Sequence, residues 1–199
     1  MFETKEMLKK FFNPTILKQN LIIASLFIAV FDNFKTSIIN RVKYFYFSGI
    51  KNGVEQFDEY EQAVLNKVKV KAKNNKQVKA TLLWLKEMEF ITEAEENLFI
   101  QLTNMRNKLA HEMNKMLIDG FPENINELYA KMINLFNKIE KRWIIEIEIP
   151  INPPNIPYDD IDWNEITSMN IEFTKIMTDI AFTGNEEYLN LINNYSNNV

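Results

Sequence analysis

The chain has 199 residues, a formal net charge of −4, and 46% hydrophobic residues, which suffice for one large packed domain or for a domain with an appendage. Four glycines and six prolines disfavour an all-β sandwich, the absence of cysteine excludes disulfides and thiolate metal sites, and a single histidine argues against zinc. The acidic net charge argues against a general polyanion binder, so any nucleic-acid contact must come from a local patch.

The first predicted element is one long amphipathic helix from Asn13 to about Phe47. Asn13 and Pro14 are a favourable N-cap and first helical residue. Apolar residues then recur every three, four or seven positions, at Ile16, Ile23, Phe27, Val30, Phe34, Ile38 and Val42. Residues 2–12 are expected to form a short helical lead-in. The apolar run Leu21–Phe31 is shorter than the roughly 20 residues that span a bilayer. We therefore expect a buried helix, no membrane partner and a cytoplasmic protein.

Gly49 and Gly53 are expected to bracket a loop before a second helix. That helix is predicted from about Val54 to Lys71, with Phe57, Tyr60, Val64, Leu65 and Val68 facing inward. A dense basic run overlaps its end and consists of Lys67, Lys69, Lys71, Lys73, Lys76 and Lys79. This run could hold an RNA backbone or could be a solvated face. The alternation over Val68–Lys71 leaves a short strand open, and Asn74-Asn75 predicts a turn.

Three further helices are predicted before the composition changes. The third runs from about Gln77 to Glu89 around Trp84. Thr92 and Glu95 form a capping-box pattern that begins the fourth, which ends before Asp119-Gly120. The buried stripe of the fourth helix is predicted at Ala94, Leu98, Leu102, Met105, Leu109 and Met116. The fifth follows Pro122, with a stripe at Ile125, Leu128, Met132, Leu135, Phe136, Ile139 and Trp143.

Beyond Trp143 the chain becomes acidic. Ile145–Ile149 alternates like an exposed strand, and the prolines at 150, 153, 154 and 157 predict an extended segment without helix. A last helix is predicted from about Asn164 to Phe182. Its inward-facing residues are expected to be Ile166, Met169, Phe173, Ile176, Met177 and Ile180, and the polar tail after Gly184 is expected to fray. The predicted architecture is all-α. Four or five core helices lie within residues 1–143, and an acidic extension, residues 144–199, packs on the same domain.

The fourth helix carries the one histidine of the chain. It lies in the stretch Met105-Arg106-Asn107-Lys108-Leu109-Ala110-His111-Glu112. In a helix, Arg106 and His111 lie about 140° apart with a rise of about 7.5 Å. His111 is predicted on a polar face between Asn107 and Asn114, and Arg106 at the edge of the buried stripe. An arginine binds phosphate through fixed donors, and a histidine transfers protons near neutral pH.

These two side chains are suited to cutting a phosphodiester bond. RNA cleavage by a neighbouring 2′-hydroxyl needs a base, an acid and positive charge on the phosphoryl oxygens. One chain offers one histidine, so a C2 homodimer that pairs two copies of this helix would supply the missing group. No metal or other cofactor is expected.

The spacing of Arg106 and His111, with Asn107 after the arginine and alanine before the histidine, resembles the signature of the HEPN superfamily. These are helical domains, many of them metal-independent RNases in toxin–antitoxin, abortive-infection and antiviral systems. The resemblance implies an HEPN-like bundle with a composite site in a homodimer. Arg106 would bind the scissile phosphate, Asn107 would orient the site and His111 would transfer the proton. Lys108 is a further RNA-binding candidate. The partners implied are tRNA or mRNA and a cognate antitoxin, although Met113 argues against control by tyrosine nucleotidylation.

Two other classes of function remain open. A non-catalytic helical module could use the same face to bind a protein or a nucleotide, and a structural interaction protein could carry the motif as plain surface. A lone histidine on a helix is most often an ordinary surface residue. Trp84, Trp143 and Trp163 could stack on bases, but tryptophans at helical spacing more often belong to the core.

Overall fold

The computed structural model describes residues 11–69, 73–154, 156–185 and 187, with the backbone alone for residues 73–75. Over these residues the protein is mostly helical, as predicted. The α-helices are α1 (Pro14–Phe45), α2 (Asp58–Ala63), α3 (Lys73–Glu87), α4 (Glu93–Asp119), α5 (Ile125–Trp143) and α6 (Met169–Thr183). The predicted lead-in helix lies outside the described residues for nearly all of its length.

The chain forms two compact units. One takes in residues up to Val30 and from Met105 onward, and the other takes in Phe31–Asn104. The long helices α1 and α4 each contribute to both units. In the first unit Phe27 of α1 packs near Tyr129 of α5, with ring centroids 6.3 Å apart. In the second, Phe99 of α4 packs against two rings of α1.

Helix α1 begins where its sequence predicts. The Asn13 side-chain oxygen accepts hydrogen bonds from the amides of Thr15 (3.0 Å) and Ile16 (3.2 Å), which confirms the N-cap. Six of its seven predicted inward residues are buried: Ile23, Phe27, Val30, Phe34, Ile38 and Val42. The periodic apolar spacing therefore places one face of α1 in the core.

By the criteria of length and composition alone, helix α1 could also cross a membrane. An 18-residue window of it has a mean hydropathy of 1.6, and half of that window is buried within the protein. The short run Leu21–Phe31 understates this apolar length, because the helix continues unbroken for 32 residues. A buried core helix of a soluble protein meets the same criteria.

The predicted second helix from Val54 to Lys71 is wrong over its first part. Gly49–Lys51 (β1) and Val54–Gln56 (β2) form an antiparallel hairpin, with Gly49 opposite Gln56 and Lys51 opposite Val54. Asn52 and Gly53 make its two-residue turn with positive φ angles of 54° and 76°. An Asn-Gly pair is the residue choice that such a turn favours, and this local signal overrides the helical spacing. Helix α2 then spans only six residues.

One smaller prediction within the lysine run is also wrong. Asn74-Asn75 lies inside α3 and not in a turn, because α3 begins at Lys73. Val68 is extended but lies in no strand, and residues 70–71 lie outside the described part. In the core of this unit Trp84 is buried, and its indole N–H donates a 2.9 Å hydrogen bond to the Tyr46 hydroxyl.

Helix α4 begins with the predicted capping box. The Thr92 amide donates to the Glu95 carboxylate (2.8 Å), and the Glu95 amide donates to the Thr92 hydroxyl (3.3 Å). Leu102, Met105, Leu109 and Met116 of the predicted stripe are buried, Leu98 is half-buried and Ala94 is exposed. Phe99, absent from the predicted stripe, is 1% exposed and lies 5.3 Å from the rings of Phe31 and Phe34.

Helix α5 matches its prediction, since all seven residues of its expected stripe are buried. The strand predicted just beyond it is wrong. Ile144–Glu148 continues as a π-helical turn, and Ile149–Ile151 adds one more helical turn that includes Pro150. The ion pair between Arg142 and Glu146 (2.6 Å), one turn apart, supports this continuation past Trp143.

Helix α6 packs on α5 within the first unit. Ser168 is its N-cap and accepts a 3.2 Å hydrogen bond from the Ile171 amide, so the helix starts about five residues later than predicted. The Tyr129 and Thr178 hydroxyls lie 2.7 Å apart, and the Asn170 side chain donates to the buried Glu140 carboxylate at 3.5 Å. The acidic extension thus packs on α5.

The predicted inward face of α6 is wrong. Met169, Phe173, Met177 and Ile180 are exposed, by 39–70%, and Ile166 and Ile176 are only half-buried. The buried residues of the helix are Ile171 and Thr174. The helix is rotated in this way because hydrogen bonds with α5 hold its Asn170 and Thr178 side inward.

Candidate functional site

The candidate site lies on one face of α4. Arg106 is half-buried, whereas Asn107, Lys108 and His111 are exposed. The backbone from Arg106 to His111 is helical, so the predicted separation of about 140° between the two side chains applies. Neither Arg106 nor His111 is enclosed in the core.

Core packing sets this orientation. Leu102 and Leu109 are 0% exposed and Met105 is 8% exposed, which fixes the inward face of α4. His111 follows Leu109 by two residues, which is about 200° around the helix. The imidazole therefore faces away from the core, while Arg106, next to Met105, remains at the edge of the buried stripe.

A kink directly follows the histidine. Glu112 has φ −120° and ψ 16°, which is not helical, and the helix then continues to Asp119. Neither proline nor glycine stands within five residues of Glu112, so the usual sequence causes of a kink are absent there. Although the kink interrupts the straight helix that the prediction assumes, His111 and Asn114 still line one groove.

The kinked segment lines an open groove of about 360 Å³. Its lining residues are Ala110, His111, Glu112, Met113, Asn114 and Lys115. All six come from one helix, and within the part of the chain that the structure describes no other element supplies a wall. The groove combines an imidazole, an amide and an ammonium group on an exposed surface, and these groups can bind an anion and exchange a proton.

The local charge around the motif is positive although the protein is acidic. From Arg106 to Ile118, the chain has three basic residues, Arg106, Lys108 and Lys115, and one acidic residue, Glu112. Lys108 and Lys115 are exposed. This is the kind of small cationic patch that an acidic protein needs in order to contact a phosphate.

The predicted lysine run belongs to the other compact unit, so it does not share a unit with Arg106 and His111. Lys67 forms an ion pair with Glu87, and Lys76 donates a 3.4 Å hydrogen bond to the Asn66 side chain. Lys69 and Lys79 are exposed. The side chains of Lys71 and Lys73 lie outside the described part of the chain. The run is therefore a partly neutralised surface.

Of the three tryptophans, Trp84 and Trp143 are core residues, exposed by 3% and 4%. Trp163 is 37% exposed and stacks on Tyr158 with ring centroids 6.2 Å apart. Among the described residues, no three or more His, Cys, Asp or Glu side chains are grouped so that they could hold a metal ion.

No family model matches the chain, and no curated protein or solved structure matches it.

Proposed function

We propose that this protein is an HEPN-like, metal-independent endoribonuclease of a toxin–antitoxin or anti-phage defence system, acting in the cytoplasm as a homodimer. The observation that carries this proposal is the pairing of an exposed His111 with a half-buried Arg106 on one helix, beside a groove that this helix lines. The resemblance of the motif to HEPN RNases supplies the reaction class.

The proposed reaction is an internal transfer at phosphorus. One His111 removes the proton of the RNA 2′-hydroxyl, and that oxygen attacks the adjacent phosphorus. Arg106 stabilises the charge that develops on the phosphoryl oxygens. The bond to the 5′-oxygen breaks, and a protonated His111 donates its proton to this leaving group. The products are a 2′,3′-cyclic phosphate and a free 5′-hydroxyl, and no cofactor takes part.

Two features support a site shared by two copies. Each chain has one histidine, whereas the reaction uses a base and an acid. In one copy Arg106 and His111 also point about 140° apart around α4, so they cannot both contact one phosphate closely from the same side. Twofold pairing of α4 would place the Arg106 of one protomer near the His111 of its partner.

The neighbours of the motif have supporting roles in this scheme. Asn107 is exposed and lies one turn before His111, where its amide can hydrogen-bond the imidazole or a phosphate oxygen. It is a positioning residue. Lys108 and Lys115 are exposed cations that hold the RNA backbone on either side of the scissile phosphate.

The first test is RNA cleavage in excess EDTA, with tRNA and mRNA as substrates. His111→Ala and Arg106→Gln should each lower kcat/KM by at least about 10²-fold while leaving the fold intact by circular dichroism. Gln101→Ala, at an exposed position of the same helix, is the matched control and should cleave normally. Mass spectrometry should identify the cyclic phosphate. Unchanged cleavage by His111→Ala would overturn the proposal, and RNA binding without cleavage would favour the non-catalytic module.

The second test addresses the shared site. After subunit exchange with an excess of inactive His111→Ala protein, the activity per wild-type chain should fall, since heterodimers contain one histidine where the reaction uses two. A site confined to one chain predicts no such loss. Sedimentation velocity at the assay concentration should show a dimer, and a fully active monomer would refute the composite site.

A further inference from the structure

Helix α6 exposes most of its large apolar side chains. Its buried residues are Ile171 and Thr174, and Asn170 and Thr178 hydrogen-bond to residues of α5. The side chains on the opposite face, which is exposed, are Met169, Phe173, Met177 and Ile180. We refer to these four residues as the outer stripe. A helix normally buries its apolar face, so an exposed stripe of this size indicates a surface that another molecule covers.

The outer stripe adjoins a groove on the same compact unit. Met177 and Ala181 of α6 form one side of the groove, and residues of α1, mostly apolar but including Lys18, form the other. The groove has a volume of about 580 Å³. Met177 belongs to both features, so the stripe and the groove form one continuous apolar surface between α6 and the first part of α1.

Carboxylates border the other edge of the outer stripe. Glu172 and Asp179 precede Phe173 and Ile180 by one residue each, so both lie on the same side of the helix. Glu172 forms a 2.8 Å ion pair with Lys175, which lowers the pKa of this carboxyl. Between residues 144 and 185 the chain has eight acidic residues and this single lysine. This border of the stripe therefore carries two carboxylates and one ammonium group.

We propose that the outer stripe and its groove bind an amphipathic helix of another protein, one with an apolar face and lysine or arginine along its edge. The apolar face would cover Phe173, Met177 and Leu21, and the basic edge would face Glu172 and Asp179. Met and Phe are enriched in such helix-binding surfaces. This proposal does not depend on the nuclease activity, since the stripe contains no residue of the motif on α4.

Area and charge both select this occupant. With about 200 Å² for a fully exposed large side chain, the four residues expose roughly 400 Å². That area suits one docked helix and is below the roughly 800 Å² per partner of a standard interface. A second copy would also bring like charges together, and an acidic border disfavours contact with anionic lipid.

The test uses the full-length protein and two synthetic helical peptides with the same leucine stripe. One peptide has lysine flanks and the other has glutamate flanks, and fluorescence anisotropy measures their binding. The lysine peptide should bind at least about tenfold more tightly than the glutamate peptide, and added salt should reduce this preference. Equal binding of the two peptides, or no binding of either, would overturn the proposal.

Substitutions locate the binding surface. Phe173→Gln should weaken binding of the lysine peptide about tenfold, as expected for a central aromatic contact. Ile100→Gln removes a comparably exposed apolar side chain from α4 and should have no effect. Glu172→Gln should reduce the preference for the lysine peptide over the glutamate peptide. Binding of the glutamate peptide, which depends on the leucine stripe, should not become weaker.

Two controls test the other occupants. Sedimentation velocity of the wild-type protein and of Phe173→Gln tests self-association, and co-sedimentation with phosphatidylserine vesicles tests a lipid surface. If the wild-type protein self-associates and Phe173→Gln does not, the stripe binds a second copy. If the wild-type protein binds vesicles and Phe173→Gln does not, the stripe binds a membrane. Either result would overturn the proposal. The RNase activity of Phe173→Gln should equal that of the wild type, so failure here and failure of the nuclease proposal are distinguishable.

Discussion

The four residues from Thr92 to Glu95 determine where α4, the helix that carries the candidate site, begins. Thr92 and Glu95 each accept a hydrogen bond from the backbone amide of the other. Two amides that the first helical turn leaves without partners are thereby satisfied. The capping box therefore stabilises the start of α4, the helix that carries Arg106 and His111.

The substitution Thr92→Ala should lower the free energy of unfolding by about 1 kcal/mol, because the cap is removed. Thr92→Ser, which keeps the hydroxyl, is the control and should stay within a few tenths of a kcal/mol of the wild type. Urea denaturation followed by circular dichroism measures both. A Thr92→Ala protein as stable as the wild type would show that the capping box contributes nothing.

Tyr129 makes stability sensitive to alkaline pH. Burial raises the pKa of its hydroxyl above the ordinary 10.0, and the hydrogen bond with Thr178 opposes this shift. The folded state therefore holds its proton more tightly than the unfolded state. The stability of the folded state is unaffected below pH 10 and falls as the pH rises above it.

We therefore expect Tyr129→Phe to lose less stability than the wild type between pH 9 and pH 11. At pH 8 the same variant should be less stable by about 1 kcal/mol, because the hydrogen bond to Thr178 is absent. Tyr158→Phe, at a position 49% exposed, is the control. Chemical denaturation at each pH measures the difference, and parallel pH profiles for Tyr129→Phe and the wild type would contradict this prediction.

At the scale of elements, the β1–β2 hairpin depends on its turn. Gly53 has a φ of 76°, a conformation that costs an L-residue about 1–2 kcal/mol. Gly53→Ala should therefore destabilise the protein by about 1 kcal/mol, whereas Asn52→Gly, where φ is also positive, should be tolerated. Denaturation midpoints measure both changes. An unaffected Gly53→Ala protein would mean that the turn relaxes without cost.

The elements also show how far the sequence can predict this fold. The buried stripe of α5 is predicted well because its apolar positions repeat at one period over five turns, and all seven predicted positions are buried. The hairpin is not predicted because the apolar spacing after Val54 suggests a helix, although Asn52-Gly53 is a strong turn signal. The buried face of α6 is predicted wrongly, because spacing alone does not reveal the tertiary hydrogen bonds with α5 that hold its Asn170 and Thr178 side inward.

The candidate site is predictable in part. Local helical geometry correctly places His111 on the exposed face and Arg106 at the edge of the core. The kink at Glu112 has no sequence signal, since neither proline nor glycine is near it. The sequence overstates the lysine run as a basic surface, because spacing alone does not reveal tertiary ion pairs such as that between Lys67 and Glu87.

At the scale of the whole molecule, the proposed nuclease activity would require an acidic protein to attract RNA through a local patch. The net charge is −4, so RNA binding should depend on few phosphate contacts. The logarithm of kcat/KM should fall with the logarithm of salt concentration at a slope of about −4 or shallower, since each neutralised phosphate of a single strand contributes about −0.7. Lys108→Gln should make this slope shallower by about 1.4, because the variant dimer neutralises two phosphates fewer.

The control for that measurement is Lys131→Gln. Lys131 is exposed on α5 and pairs with Glu127, so its replacement should leave the salt dependence unchanged. The salt dependence of kcat/KM could instead be much steeper than predicted. If Lys69→Gln and Lys79→Gln then made it shallower, the lysine run would be the surface that contacts RNA.

The groove beside His111 is lined by residues of one helix, and no second wall faces it within the described part of the chain. If the missing wall is the same helix of another copy, each newly made chain carries half of a catalytic centre and is inert. The rate then grows with the square of the number of chains in the cell while dimers are scarce, so a doubling of expression gives a fourfold rise in RNA cleavage.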